Sequence, residues 1–210
     1  PRQVGLPVLK HLSFTGATVK PVPSIKSYAW KDGLPAPETK PIVLLGLDGS
    51  GKSTLWENMQ RVASGDDDSI ILPLPSPSTT PAQCEIAFKG QKLSILDMPG
   101  ARQKRRHWAD GASPARSIIY LIDSMDDMRF ELARQGLSDL FEQNQDFLGK
   151  KILVVLTKAG NLFERDVHTT IQRLHLQGLE TMAIEADNYD HIVKILEYCS
   201  SKRPKALSTR

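Results

Sequence analysis

The chain has 210 residues, enough for one domain of ordinary size with appendages, and its 40% hydrophobic and 24% charged content is that of a globular protein. No apolar run reaches the roughly 18 residues that cross a bilayer, so the expectation is a soluble chain or one held at a membrane by partners. The net charge of +3 is uneven: residues 1–40 hold six Lys or Arg against two acidic residues, and the remainder holds 21 against 22, so no basic nucleic-acid face is expected on the domain.

Taken in chain order, residues 1–40 carry Pro1, Pro7, Pro21, Pro23, Pro35 and Pro37 without a sustained helical or strand period. They read as an extended arm, because proline lacks an amide donor and restricts the residue before it. From Pro41 the character changes. Ile42 to Leu47 is a short apolar run suited to a strand buried on both faces, followed by a Gly-rich turn and a helix from about Lys52 to Ala63. A long loop runs from Asp66 to Pro81. Gln83–Phe88 and Leu93–Leu96 read as strands of a hairpin turning at Lys89-Gly90-Gln91.

Further strands are expected at Ser117–Ile122, Lys151–Leu156 and Thr181–Ile184, and helices at Met128–Leu148, Leu162–Leu176 and His191–Cys199. Strands alternating with helices imply an α/β fold with a mostly parallel sheet. The division is an arm at 1–40, a domain at 41–201 and a tail at 202–210. Cys84 and Cys199 offer neither a disulfide framework nor metal-ligand spacing and read as reduced thiols in or near the core. Arg102, Lys104, Arg105 and Arg106 read as a solvated helix face, or as an attractor for phosphate or an acidic partner.

Gly46-Leu47-Asp48-Gly49-Ser50-Gly51-Lys52-Ser53 fits G-x-x-x-x-G-K-[ST] and sits after a buried strand and at the opening of a helix. Glycines let backbone amides turn inward around a polyphosphate, and the helix N-terminus adds partial positive charge. Lys52 is suited to bridge the terminal phosphates and the Ser53 hydroxyl to bind Mg²⁺. A Gly-rich turn kept only for its geometry is the plainer alternative.

This loop, continued through Thr54, resembles that of the Arf and Arl small GTPases, which also begins Gly-Leu-Asp. Leu96-Asp97-Met98-Pro99-Gly100 resembles the family's Trp-Asp-x-Gly-Gly. Arg105 and Trp108 fall on an Arg and a Trp typical of its switch II, and Ile122-Asp123-Ser124-Met125-Asp126 with Arg129 resembles its Val-Asp-Ser-x-Asp-x-x-Arg segment. The likeness runs from Ile42 to Ser200. It implies a small-GTPase P-loop fold, a mostly parallel six-stranded sheet with helices on both faces. It also implies a Mg²⁺-nucleotide site formed by Asp48, Gly49, Ser50, Gly51, Lys52, Ser53, Thr54, Gly100, Lys158 and Ala186, with Ser53, Ser78 and Asp97 around the metal. Ser78 is placed by counting back from Asp97, and Thr79 and Thr80 are its alternatives.

The departures from the family point to its function. The position of the water-orienting Gln holds Ala101, whose methyl group makes no hydrogen bond, so no catalytic residue is assigned. Pro99 replaces the first Gly of a pair and is expected to stiffen the switch. The base-reading Asn-Lys-x-Asp becomes Thr157-Lys158-Ala159-Gly160. Without the Asp carboxylate, discrimination on the order of 10⁴-fold is expected to be lost at that position. The stem of Lys158 remains able to cover a base face, and the Ala186 amide to meet a base oxygen. GTP is the expected ligand, with ATP or GDP as alternatives.

The resulting reading is a nucleotide-binding, Arf-like pseudo-GTPase serving as a non-catalytic structural or regulatory subunit. The alternatives are a switch module that recruits partners by nucleotide state and a slow NTPase with relaxed base specificity. A free Pro-rich arm cannot bury enough surface to offset its entropy, so it is expected to lie on other subunits of a stable complex, with its own domain as the alternative. The chain begins at Pro1, which removal of a presequence and simple trimming explain equally. With the basic arm, this gives an expectation of a mitochondrial complex, with cytoplasmic or ciliary placement as the rivals.

Overall fold

The computed structural model describes residues 39–65, 78–143, 147, 150–160 and 164–201. Most of the arm, the tail and much of the loop between Asp66 and Pro81 lie outside the described residues. The elements are β1 (Ile42–Gly46), α1 (Lys52–Ser64), β2 (Ala82–Phe88), β3 (Gln91–Asp97), α2 (Trp108–Ala112), β4 (Ser117–Asp123), α3 (Phe130–Gln143), β5 (Lys151–Thr157), α4 (Glu164–Arg173), β6 (Glu180–Ala183) and α5 (Tyr189–Ser200).

Six strands form one sheet in the order β2-β3-β1-β4-β5-β6. Among the described residues only the β2–β3 hairpin is antiparallel; β1 pairs parallel with β3 and β4, and β5 with β4 and β6. The expected six-stranded, mostly parallel sheet is therefore present. Its apolar strands separate two cores by alternation along the chain. Val43 and Leu45 face a cluster with Trp108, Tyr120, Leu137 and Leu156, whereas Ile42 and Leu44 face Leu55, Met59, Ile119, Ile195 and Leu196. The first core lies under α2 and α3 and the second under α1 and α5.

Two elements differ from expectation. The helix predicted over Met128–Leu148 is seen from Phe130 to Gln143, and residues 144–146 and 148 of that prediction lie outside the described residues. Its start is delayed because Asp126, at φ −106 and ψ 66, lies outside the helical region, and Asp127–Arg129 form a tighter 3₁₀ turn. The helix α2 was not expected, since five residues are too few to show a period. Among the described residues, no helix is long and apolar enough to cross a membrane.

Candidate functional site

The turn from β1 into α1 places a ring of backbone groups at the C-terminal edge of the sheet, where open α/β sheets form their ligand crevices. Gly49 (φ 77) and Gly51 (φ 85) hold left-handed conformations that a side chain disfavours, and these turn the backbone inward. Ser50 is buried beneath the turn, and Thr54 is half-buried on the first turn of α1.

Lys52 is only 5% exposed and points back across the loop. Its ammonium donates to the Leu47 carbonyl at 2.6 Å and to Ser50 Oγ at 3.4 Å. Burial pulls its pKa down to about 8, against the opposing attraction of Asp97 and Asp48. The cation is thus largely stripped of water and held beside the place where phosphate oxygens would sit.

Three predicted metal-site residues come together although they lie on separate segments. Ser53 Oγ donates to Asp97 Oδ2 at 3.0 Å, and Ser78 Oγ donates to the same oxygen at 3.4 Å. Asp97, at the end of β3, is 1% exposed, and its Oδ1 is buried without a hydrogen-bond partner. Burial raises its pKa, and the nearby Lys52 and the two hydroxyls oppose that shift. A buried carboxylate oxygen without a donor beside two hydroxyls is a donor set of hard oxygens and fits Mg²⁺. Among the described residues there is no group of three His, Cys, Asp or Glu that could hold a metal alone, so a cation here would take its remaining ligands from phosphate and water.

Gly100 follows β3 and lies directly against the loop. A Cβ there would fall 2.5 Å from the Leu47 carbonyl carbon and 2.7 Å from the Gly46 oxygen, so only glycine allows this approach. Arg105 holds the contact from outside: its Nε donates to the Gly100 carbonyl at 2.8 Å and its Nη2 to Asp48 Oδ1 at 3.1 Å. Arg129 takes the other Asp48 oxygen at 3.3 Å and also donates to Asp126. Burial acts to raise the Asp48 pKa, but its own backbone amide and the two guanidiniums outweigh this and leave the carboxyl below its usual value. Arg105 is therefore not part of a uniformly solvated basic face, whereas Arg102, Lys104 and Arg106 are exposed. Trp108 Nε1 donates to the Pro99 carbonyl at 3.0 Å, which ties the segment down from the core side. Ala101 is exposed on the turn between them.

The loops after β5 and β6 form the other wall. Thr157 Oγ1 donates to the Ser50 carbonyl at 3.0 Å and so ties the β5 end to the phosphate loop. Lys158 adopts φ 57 and its ammonium meets Asp123 Oδ2 at 2.5 Å. The Ala186 carbonyl accepts from Asn58 Nδ2 of α1 at 2.9 Å. Gly160 has no side chain of its own, and the side chain of Glu185 reaches across from the loop after β6, its Oε1 accepting the Gly160 amide.

Sequence reasoning missed Glu185 and the tie from Thr157, as well as the Asp48 clamp formed by Arg105 and Arg129. Only the identity of Arg105 and Arg129 as residues typical of the resembled family hinted at any of them.

Residues 33–203 match the ADP-ribosylation factor family. The chain is 28% identical over 140 residues to the small COPII coat GTPase SAR1 of Giardia intestinalis, covering 67% of this chain and 69% of that protein. It is 30% identical over 142 residues to ADP-ribosylation factor-like protein 1 of Drosophila melanogaster, covering 67% of this chain and 72% of the relative. ADP-ribosylation factor-like protein 2 of Dictyostelium discoideum is 31% identical over 150 residues, covering 69% of this chain and 77% of its own. The Arl6 BBS3 small GTPase from Trypanosoma brucei, solved with the nucleotide analogue GppNp, shares the fold with a TM-score of 0.62 at 16% identity, covering 76% of this chain and 94% of that one. With the phosphate loop, the Asp97 cluster and the sheet order in place, the chain belongs to the ADP-ribosylation factor family of small GTPases.

Proposed function

We propose that this family member binds a Mg²⁺-nucleoside triphosphate, GTP in the first instance, and holds it without hydrolysing it, as a structural or regulatory subunit. One observation carries the reading. The phosphate-binding half of the site is assembled, with Lys52, Ser53, Ser78 and Asp97 converging, whereas the position next to Gly100 that should orient an attacking water is the exposed methyl of Ala101. Ser53, Ser78 and Asp97 would hold Mg²⁺, which supplies charge neutralisation between the terminal phosphates. Lys52 would exchange its bond to Leu47 for phosphate oxygens. Such a ligand stabilises the folded state by mass action.

The test is to denature the purified native protein and identify the released nucleotide by chromatography. A stoichiometric triphosphate supports the proposal; a stoichiometric diphosphate contradicts it.

A second reading, a switch that recruits partners by nucleotide state, draws on the bridge from Asp48 through Arg105 to Gly100, since a ligand on the loop would act on the segment that follows β3. It requires partner affinity to differ between di- and triphosphate forms, and equal affinity would rule it out. The proposal extends to a stable protein assembly contacted through residues 1–40, with a mitochondrial location. The support is compositional, a basic and proline-rich arm. Deleting 1–40 should release co-purifying subunits while leaving nucleotide content unchanged.

A further inference from the structure

We propose that Glu185 is the base-reading carboxylate of this site and makes it selective for guanine over adenine, hypoxanthine and xanthine nucleotides. The inference rests on the nucleotide-site reading above and names the base that site takes.

The sheet order sets the direction of the ligand. Asp97 ends β3, on one side of β1, and Gly160 and Glu185 follow β5 and β6, on the other. If the terminal phosphates and their cation lie on the Asp97 side, the nucleoside must extend over the ends of β4, β5 and β6. Thr157 is bonded to Ser50, so the β5 loop directly adjoins the phosphate loop on that side.

At the end of this path Gly160 contributes no side chain, and the space is filled by Glu185. A Cβ on Gly160 would lie 2.5 Å from Glu185 Oε1, 3.1 Å from its Cδ and 3.2 Å from its Cγ. The carboxyl group of Glu185 therefore stands where a side chain of residue 160 would begin. Its position is built into the fold. The Ala159 amide donates to the Ile184 carbonyl at 3.2 Å and the Ile184 amide to Leu156 at 2.8 Å, which carries the β5–β6 pairing on into the two loops. The Glu185 amide donates to His191 Nδ1 at 3.1 Å, and its carbonyl accepts from the Asn188 amide at 3.1 Å. The Gly160 amide then fixes Oε1.

A carboxylate offers about four acceptor positions and no donor. One is taken by Gly160, which leaves both oxygens able to accept. Guanine presents two adjacent donors, N1–H and the 2-amino group, and so matches it. Hypoxanthine lacks the 2-amino group and loses one bond. Adenine turns the lone pair of N1 towards the carboxylate, and xanthine turns its 2-oxo group towards it, so both set acceptor against acceptor. Asp123, the carboxylate ending β4, is occupied by Lys158.

The experiment measures the affinity of the full chain for GTP, ITP, XTP and ATP with Mg²⁺, in wild type, Glu185→Gln, the double variant Gly160→Asp/Glu185→Ala, Asp187→Asn and Lys52→Ala. Wild type should favour GTP over ATP and XTP by at least tenfold, with ITP between. Glu185→Gln, whose amide can donate to the 2-oxo group and still accept from N1–H, should invert the GTP-to-XTP ratio. The double variant should restore the preference for GTP, and Asp187→Asn should leave it unchanged. Equal affinities for all four nucleotides in wild type, lost in Lys52→Ala, would overturn this inference and leave the phosphate site standing. So would an unaltered GTP-to-XTP ratio in Glu185→Gln. Binding of none of the four in wild type would overturn the nucleotide site and this inference together.

Discussion

The Lys52 ammonium and the Leu47 carbonyl, 2.6 Å apart, close the phosphate loop on itself. The bond gives a buried cation a partner in the absence of phosphate, and it does so five residues away along the same turn. Replacing Lys52 by Met removes the buried charge, while Leu47 keeps the Ser50 amide as a donor. The free variant should therefore unfold at the same temperature as wild type or higher. Wild type at a nucleotide concentration of 100 times Kd should gain about 2.7 kcal/mol, or roughly 5–10 °C in Tm, and Lys52→Met should gain none. Thermal unfolding with and without Mg²⁺-GTP measures both.

The clamp on Asp48 is partly exposed, so its worth to global stability should be small, on the order of 0.5 kcal/mol. Its effect should be local. Arg105→Ala frees the Gly100 carbonyl and the Asp48 bridge at once, and trypsin should then cut after Arg102, Lys104 or Arg106 several-fold faster, with the urea midpoint unchanged. Cleavage at the wild-type rate would show that Arg105 does not hold this segment.

Trp108 secures the same segment from inside. Trp108→Phe keeps an aromatic ring against Tyr120, whose ring lies 6.0 Å away, but leaves the buried Pro99 carbonyl without its donor. The expected loss is about 1–3 kcal/mol in denaturant unfolding. A loss below about 0.5 kcal/mol would mean that another donor takes over.

Much of the architecture is visible in the sequence because local and long-range signals agree there. The β1 run, the glycine loop and the start of α1 follow one another without interruption, and the β2–β3 turn at Lys89 and Gly90 is marked by a residue type suited to positive φ. The Ser53–Asp97 bond was also foreseeable, because each residue belongs to a recognisable motif. Glu185 was not, since it lies 25 residues from Gly160 and only the parallel pairing of β5 with β6 makes them neighbours. The same holds for Asp48, whose guanidinium partners lie 57 and 81 residues away. Side chains that meet through the sheet leave no periodicity to read.

Alkaline stability should show two opposing slopes in the free protein. Lys52 has a folded pKa of about 8 against 10.5 ordinarily, so between these values the unfolded chain binds the extra proton and Lys52 alone makes stability rise with pH, by about 3 kcal/mol in all. Burial raises Cys84 and Cys199 from 9.0 to about 12, so above pH 9 the unfolded thiols lose protons that the folded ones keep, and stability falls. Urea unfolding at steps from pH 7.5 to 11 should therefore show a rise up to about pH 9 and a decline above it that steepens beyond about pH 10.5, where the contribution of Lys52 has ended. Lys52→Met should abolish the rise and keep the decline.

The measurement that bears most directly on the central claim is single-turnover hydrolysis of bound GTP, with Mg²⁺ present and free nucleotide removed. The expected result is that bound triphosphate is recovered intact over hours, because no side chain at position 101 orients water. Conversion to diphosphate on the scale of minutes by wild type, with no conversion in Lys52→Ala, would contradict it and make this chain a working hydrolase that uses a group other than residue 101.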